Sequence, residues 1–362
     1  MPAPATEIVR KPQLARIAVA LEPVHHFINS LSLLIHSEHL SGYAEWVTQT
    51  AVALTPHQLH MNKLVLEGLH YAVVPNRSWS TVEAYLANLA AHDPVTLRDR
   101  LLDAYEHKQP GTSMNRADIL ASADAYLDYL YGRFPKESVD EVVEREAYAL
   151  MIDPPQMQQT IVTHLQEMWE TIFKPEWLRV QPMLQASADA FNELGIAQMT
   201  PLQAARVVVG QELPEHWEYL LGESYADQFE RIVFVPSAHI GPYLGTMKSQ
   251  NSVWLIFGAR LPEGTAVSSP DLSRSELLVR LTALADDTRL RILQIIREEG
   301  EQCSQDIINR LGLSQSAASR HLKQLSATGY LLERRRDGAK CYRLNQEKVD
   351  GILQALSYFL DS

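Results

Sequence analysis

Cysteine is almost missing from this chain: 362 residues contain two, Cys303 and Cys341. That excludes a disulfide-framed fold, so two inert thiols in a reducing cytosol are expected, with redox sensing as the rarer alternative. Long apolar runs are missing too; none reaches the roughly 18–20 residues that a membrane span needs. The opening MPAPATEIVRK lacks the charged-then-apolar layout of a secretion signal, so the expected location is the cytoplasm. There is no glycine-rich phosphate loop, no dinucleotide fingerprint and no Gly-x-Ser-x-Gly elbow. Internal repeats and low-complexity tracts are absent as well.

Positive charge is also short, with a net charge of −12. The deficit is uneven. Residues 271–362 hold 14 Lys and Arg against 13 Asp and Glu, whereas residues 1–270 hold 18 against 31. A DNA-binding surface needs a local basic patch, not a basic chain. The stretch LPEGTAVSSPDLS (261–273) is rich in Pro, Gly and Ser and reads as a linker. The chain is too long for one ordinary core, and two domains are expected, 1–265 and 273–362.

The first domain reads as mainly helical with a minor sheet. Ala15–Leu21 (ARIAVAL) is strand-like and stops at Pro23. Apolar residues then recur at helical spacing in 24–36, 43–54, 57–73, 81–90, 95–106, 116–131, 139–151, 156–172 and 176–194. Ser80, Asp93, Asp153 and Thr200 stand at N-cap positions, with Pro94, Pro154 and Pro201 in the first turn. Two β-rich runs, Arg231–Val235 and Ser252–Phe257, can join the N-terminal run in a small sheet.

In the second domain, Ser275–Ala285 is an amphipathic helix. Arg289–Arg297 is another, with Leu290, Ile292, Leu293 and Ile296 as its buried side. Cys303–Leu311 is a short third helix, Gly312 and Leu313 make a turn, and Ser314 caps a fourth helix, Gln315–Thr328. On a helical wheel Ala317, Ala318, Leu322 and Leu325 share one face, and Ser316, Ser319, Arg320 and Lys323 share the other. A slim polar and basic face suits the major groove. Residues near the helix start enter deepest, so Gln315, Ser316, Ser319 and Arg320 are the base-reading group, with the capping Ser314 counted among the DNA-binding residues of this helix. Lys323 belongs on phosphate, and His321 falls near the apolar side, where packing or a phosphate contact is expected. Two extended runs, Tyr330–Arg336 and Ala339–Leu344, flank Asp337–Gly338, a hairpin signal. Arg334, Arg335, Arg336, Lys340 and Arg343 make this hairpin basic, as a backbone-gripping wing needs. The chain closes with an amphipathic helix, Gln346–Leu360, whose Val349, Ile352, Leu353, Leu356 and Phe359 suit a partner helix.

The stretch LTALADDTRLRILQII…LGLSQSAASRHLKQLSATGYLLERRRDGAKCYRL closely resembles ArsR/SmtB-type winged helix-turn-helix regulators. The resemblance covers about a quarter of the chain. It implies a homodimer formed by the first and last helices of the winged domain. It also implies binding to an imperfect palindrome in double-stranded DNA near a promoter, usually as a repressor released by an effector. Many relatives sense metal through a Cys-x-Cys-like pair on the third helix. Cys303 matches the first thiol, but Gln305 stands where the second belongs. Others use Asp and His on the last helix; Asp350 is present, but 346–362 holds no His. Neither metal site is expected, and no cofactor is assigned. The N-terminal region resembles, around ARIAVALEPVHHFINSL, an uncharacterised helical domain fused in front of some ArsR-type winged helices.

Other features have a plain reading beside a chemical one. His36/His39, His57/His60 and Glu67/His70 each share a helix face, which suits a metal site in a bundle or simply surface and packing histidines; His25–His26 is the weakest pair. Trp46, Trp79, Trp169, Trp177, Trp217 and Trp254 are core residues or the lining of an apolar pocket. Ser237 and His239, with Gly241 and Gly245, read as a turn-rich loop rather than a catalytic one. The function expected is therefore that of a dimeric, cytoplasmic, DNA-binding regulator without catalytic residues, controlled by an unidentified effector through the N-terminal domain, which senses a small molecule, adds dimer surface, or both. The rival classes are an enzyme with a DNA-binding tail and a protein-interaction module with a winged-helix dimerisation domain.

Overall fold

The computed structural model describes residues 16–37, 42–106, 115–210, 213–249, 251–262, 274–336 and 338–361. They fall into two compact units, Glu22–Leu184 with Ser237–Pro242, and Met1–Leu21 with Gln185–Pro236 and Tyr243–Ser362. The architecture is mainly α with minor β, as the periodicity suggests.

Among its described residues the first of these units is built of helices, apart from Ser237, the last residue of a strand. Its central helix, Pro23–His36, opens on a proline and buries residues on every side, from Val24 and Phe27 to Leu31 and Leu34. A helix apolar all round belongs inside a core. Around it lie helices whose first turns are closed by side chains: Thr55 in a reciprocal cap with Gln58, Ser122 on Ala125, Asp140 on Val142 and Val143, Asp153 on Gln156. The helix Val82–Ala91 is capped by Thr81, not by Ser80 as expected. Adjacent Ser and Thr carry the same local signal, and the backbone geometry selects the second.

Two more boundaries differ from the sequence reading. The run 116–131 splits into Arg116–Ile119 and Ala123–Tyr131. The break expected between 172 and 176 is absent: a π turn, Trp169–Phe173, joins Pro154–Met168 to Lys174–Glu193. Pro175 lacks an N–H and its ring crowds the preceding turn, and the widened π turn is where the helix absorbs it. A second π turn, Leu64–Gly68, interrupts the segment after Pro56–Lys63.

The other unit contains the expected sheet: β1 (Arg16–Val19), β2 (Arg231–Ser237), β3 (Gly245–Lys248) and β4 (Ser252–Gly258), in the order β1-β2-β4-β3. β1 runs parallel to β2 with Ile17 opposite Ile232, and β3 runs antiparallel to β4. β2 and β4 are buried along nearly their whole length, which explains their unbroken apolar runs. Phe191, Ala204, Val208 and Trp217 pack on them. Asn192 bonds both backbone groups of Val19, so its amide stands in for a neighbouring strand.

The winged domain follows: helices Arg274–Leu284 and Asp287–Glu299, strand β5 (Gln302–Cys303), helices Ser304–Leu311 and Gln315–Ala327, strands β6 (Leu331–Arg336) and β7 (Ala339–Leu344), and helix Gln346–Asp361. The sheet order is β5-β7-β6. Ile292, Ile296, Ile307, Leu322, Leu325 and Ile352 form its core. Leu290, expected inside, is 50% exposed. The position before it, Arg289, is the buried one.

Candidate DNA interface

The turn before the helix Gln315–Ala327 depends on two residues. Gly312 adopts φ +64° with open space around it, so a side chain there meets conformational strain rather than a clash. Ser314 is extended, and its Oγ accepts from the Ala317 N–H at 3.2 Å. The helix then presents Gln315, Ser316, Ser319, Arg320 and Lys323 to solvent while Ala318, Leu322 and Leu325 are buried. His321 is half-buried with Nδ1 3.7 Å from Asp286 Oδ1, and burial holds its pKa below the usual value.

Arg289 and Gln324 escaped the sequence reading. Arg289 is 8% exposed and Gln324 2%. The guanidinium donates to Gln324 Oε1 at 2.9 Å, to the Thr282 carbonyl at 3.1 Å and to the Ala283 carbonyl. Asp286 caps the same helix through the Arg289 N–H. A buried cation with several acceptors is charge-assisted and directional, so this cluster sets the groove-facing helix against Asp287–Glu299 and the end of Arg274–Leu284. The available signal was the Arg three residues after a capping Asp.

The wing pairs Arg335 with Lys340 and Arg336 with Ala339. Gly338 turns it at φ +82°, and Asp337 lies outside the described residues. Arg334, Arg335, Arg336, Lys340 and Arg343 are all exposed. Four of the five already have carboxylate partners: Arg334 and Arg336 on Glu301, Lys340 on Glu333 at 2.7 Å, and Arg335 on Glu215 at 2.9 Å.

The family model for bacterial regulatory proteins of the arsR family matches residues 286–331. Over 92 residues the chain is 44% identical to the arsenical resistance operon repressor of Escherichia coli, a match covering 20% of this chain and 79% of that protein. The chain belongs to the ArsR family. It is also 34% identical over 96 residues to the arsenic resistance transcriptional regulator ArsR2 of Pseudomonas putida, covering 26% of this chain and 76% of that one. With ArsR1 of the same organism it shares 43% identity over 76 residues, and it spans only 59% of the length of that regulator.

In this ArsR chain Cys303 and Cys341 are joined by a disulfide, which overturns the expectation of two free thiols. β5 places Cys303 directly opposite Cys341 of β7, a register that a separation of 38 residues does not reveal. Gln305 turns away to Asn309 at 3.0 Å. Among the described residues, no group of three or more His, Cys, Asp or Glu is disposed to hold a metal ion. Of the histidine pairs, His60 bonds Glu146 at 2.7 Å, His36 lies 3.7 Å from Glu67, and His70 donates through Nδ1 to the Leu66 carbonyl. His39 lies outside the described residues.

The histidines ranked lowest are the most buried. His25 and His26 are 0% and 1% exposed, and His239, placed in a loop by its sequence, is also 0% exposed. Ser237 does form the expected turn, accepting from the His239 and Ile240 N–H groups. His239 stacks on Trp46 at 4.3 Å between centroids, with Ser30 Oγ 2.8 Å from Nδ1 and Glu176 2.8 Å from Nε2. Burial pushes Glu176 upward, but its bonds to His239 and Arg179 outweigh that and hold it below the carboxylate range. A Ser–His–Glu line invites comparison with hydrolytic triads. Here Ser30 is fully buried and its proton is committed to the His26 carbonyl at 2.7 Å. The cluster therefore joins helix Pro23–His36 to Glu176 and the Ser237 turn. Trp217 and Trp254 are core residues.

Proposed function

We propose that this ArsR-family chain is a cytoplasmic, sequence-specific DNA-binding transcriptional regulator, acting as a homodimeric repressor on an imperfect palindrome. Residues 273–362 bind DNA, and residues 1–265 carry the effector response. One observation carries this reading: a slim polar and basic helix face, Gln315–Lys323, stands beside a hairpin with five exposed cations. Gln315, Ser316, Ser319 and Arg320 read bases from the helix that Ser314 caps, while Lys323, Arg334, Arg335, Arg336, Lys340 and Arg343 hold phosphates. The repressor role is supported by the Escherichia coli relative, an arsenical resistance operon repressor.

Dimerisation is supported by Leu278 on the first helix of the winged domain and Leu353 and Leu360 on the last, which are 55%, 58% and 73% exposed. Such apolar surface is covered when two copies pair about a two-fold axis. Two recognition helices then meet half-sites about one helical turn apart. An effector changes DNA affinity only through unequal binding to the competent and incompetent forms. Selection of genomic fragments by the purified protein, followed by footprinting at moderate salt, tests the proposal. A protected near-palindrome beside a promoter supports it. Weak, sequence-indifferent and salt-sensitive binding alone defeats it.

A further inference from the structure

The helical unit contains a cleft of about 440 Å³ between the helix Pro23–His36, the π turn Leu64–Gly68 and the helix Glu141–Met151. That volume is in the range of small-molecule sites. Its backbone explains why two carboxylates share it. A Cβ on Gly68 would sit 2.9 Å from Ala147 Cβ and 3.1 Å from Val143 Cγ1, so only glycine lets the π turn approach the facing helix this closely. The approach brings Glu67 and Glu144 into the same cleft. π turns recur where proteins bind and react.

The walls are aromatic and aliphatic. Tyr71 meets Tyr105 edge-to-face at 5.2 Å, and Tyr105 meets Phe134 at 5.8 Å. Besides the tyrosines, the titratable groups lining the cleft are Glu67, Asp140 and Glu144 with His36 and His70; His36 lies 3.7 Å from Glu67, His70 is bonded to the Leu66 carbonyl, and Lys63 stands behind the wall. Lys63 is engaged with Asp140 at 2.6 Å and is 4.0 Å from Glu67. Glu144 accepts from the Tyr126 hydroxyl at 2.9 Å. Burial, with Glu67 and Asp140 adding repulsion, pushes Glu144 up to about 7, and burial raises Glu67 as well. An anionic ligand meets like charge here, and a neutral one leaves the carboxylates opposed. A cation relieves both, and aromatic rings hold it further through their faces.

We propose that this cleft binds a small organic ammonium ion, its charge set against Glu67 and Glu144 and its apolar body against Tyr71, Tyr105 and Phe134. Naming that ion as the effector rests on the regulator reading; the binding does not. As the cation enters, the proton held by Glu144 is released to solvent.

Calorimetric titration of the full chain without DNA tests this, using benzyltrimethylammonium, benzyl alcohol and benzoate as probes. The cation is expected to bind at least about tenfold more tightly than the other two. At pH 7 the heat should vary with the ionisation enthalpy of the buffer, reporting proton release. Glu144→Gln is expected to abolish that release and weaken binding by about tenfold or more. Tyr71→Leu, at a half-buried position, should weaken binding while proton release persists. Equal affinity for all three probes, no saturation by the cation at millimolar concentration, or unchanged affinity in Glu144→Gln and Glu67→Gln would overturn the proposal. Because no DNA is present, its failure leaves the regulator reading standing, and a failed footprint leaves the cleft standing.

Discussion

Glu301, at the foot of the wing, holds the Arg334 guanidinium through both carboxylate oxygens, with Arg336 3.4 Å from one of them. A phosphate that meets either arginine must displace this carboxylate. Glu301→Gln is therefore expected to tighten DNA binding several-fold and to steepen the salt dependence by about one unit of slope. Affinities measured across a salt series check this. Weaker binding would show that Glu301 positions the arginines instead of competing for them.

Arg320 lies on the exposed face of the recognition helix, one turn from its start. Arg320→Ala is expected to cost about 1–3 kcal/mol on the preferred site and to relax sequence preference. Competition between specific and random duplexes measures both. Equal discrimination by the variant and the parent would remove Arg320 from base reading.

Lys340→Ala acts on the backbone. It is expected to lower affinity on every sequence alike and to flatten the salt slope by about one unit. An unchanged slope in the same salt series would show that the wing does not grip phosphate.

Arg289 is held by Gln324 and two backbone carbonyls in a nearly sealed position. Arg289→Met leaves those acceptors buried without a donor and is expected to destabilise the winged domain by about 2–4 kcal/mol. Lysine should not rescue it, because one ammonium cannot copy a planar fork. Urea unfolding of the three proteins decides; a lysine variant as stable as the parent would refute the directional role.

Two buried groups give opposite pH dependences. His164 is 5% exposed, and burial pulls its pKa from 6.5 down to about 4. A histidine whose folded value is depressed stabilises fully above its unfolded value, and that stability is lost as pH falls toward 4, by about 3 kcal/mol. Glu144 is raised from 4.5 to about 7. Its stability is complete below 4.5 and is lost as pH rises toward 7, by about 2 kcal/mol once solvent screening is allowed for. The slopes oppose one another in the shared window, so Glu144 offsets part of the rise with pH that His164 gives the parent together with His26 and His239, which burial also lowers. Glu144→Gln should make stability climb more steeply with pH and exceed the parent's at neutrality. Denaturant midpoints across the window check this, and a variant profile no steeper than the parent's would contradict it.

The winged domain was legible almost throughout because its signals are local: Gly312 and Gly338 at left-handed turns, Ser314 at a cap, and apolar periods that match one helix each. What escaped depends on distant partners. β5 has only two residues, too few to read as a strand, and Cys303 meets Cys341 only through it. Arg289 sits in an amphipathic run where an arginine ordinarily faces water, and nothing local pairs it with Gln324. His239 follows a strand amid turn residues, yet its ring lies between Trp46 and Glu176, whose positions depend on the whole helical unit. Pro175 reads as a helix stop, and only the π turn preceding it shows otherwise.

The partners of β1 and of the central helix come late in the chain. Ile17 waits for Ile232, and Ser30 for His239, 209 residues further on. On the ribosome, both apolar surfaces emerge long before anything can cover them. Synthesis through residues 231–239 therefore sets how long the nascent chain depends on chaperones, and a pause before that point leaves it open to aggregation.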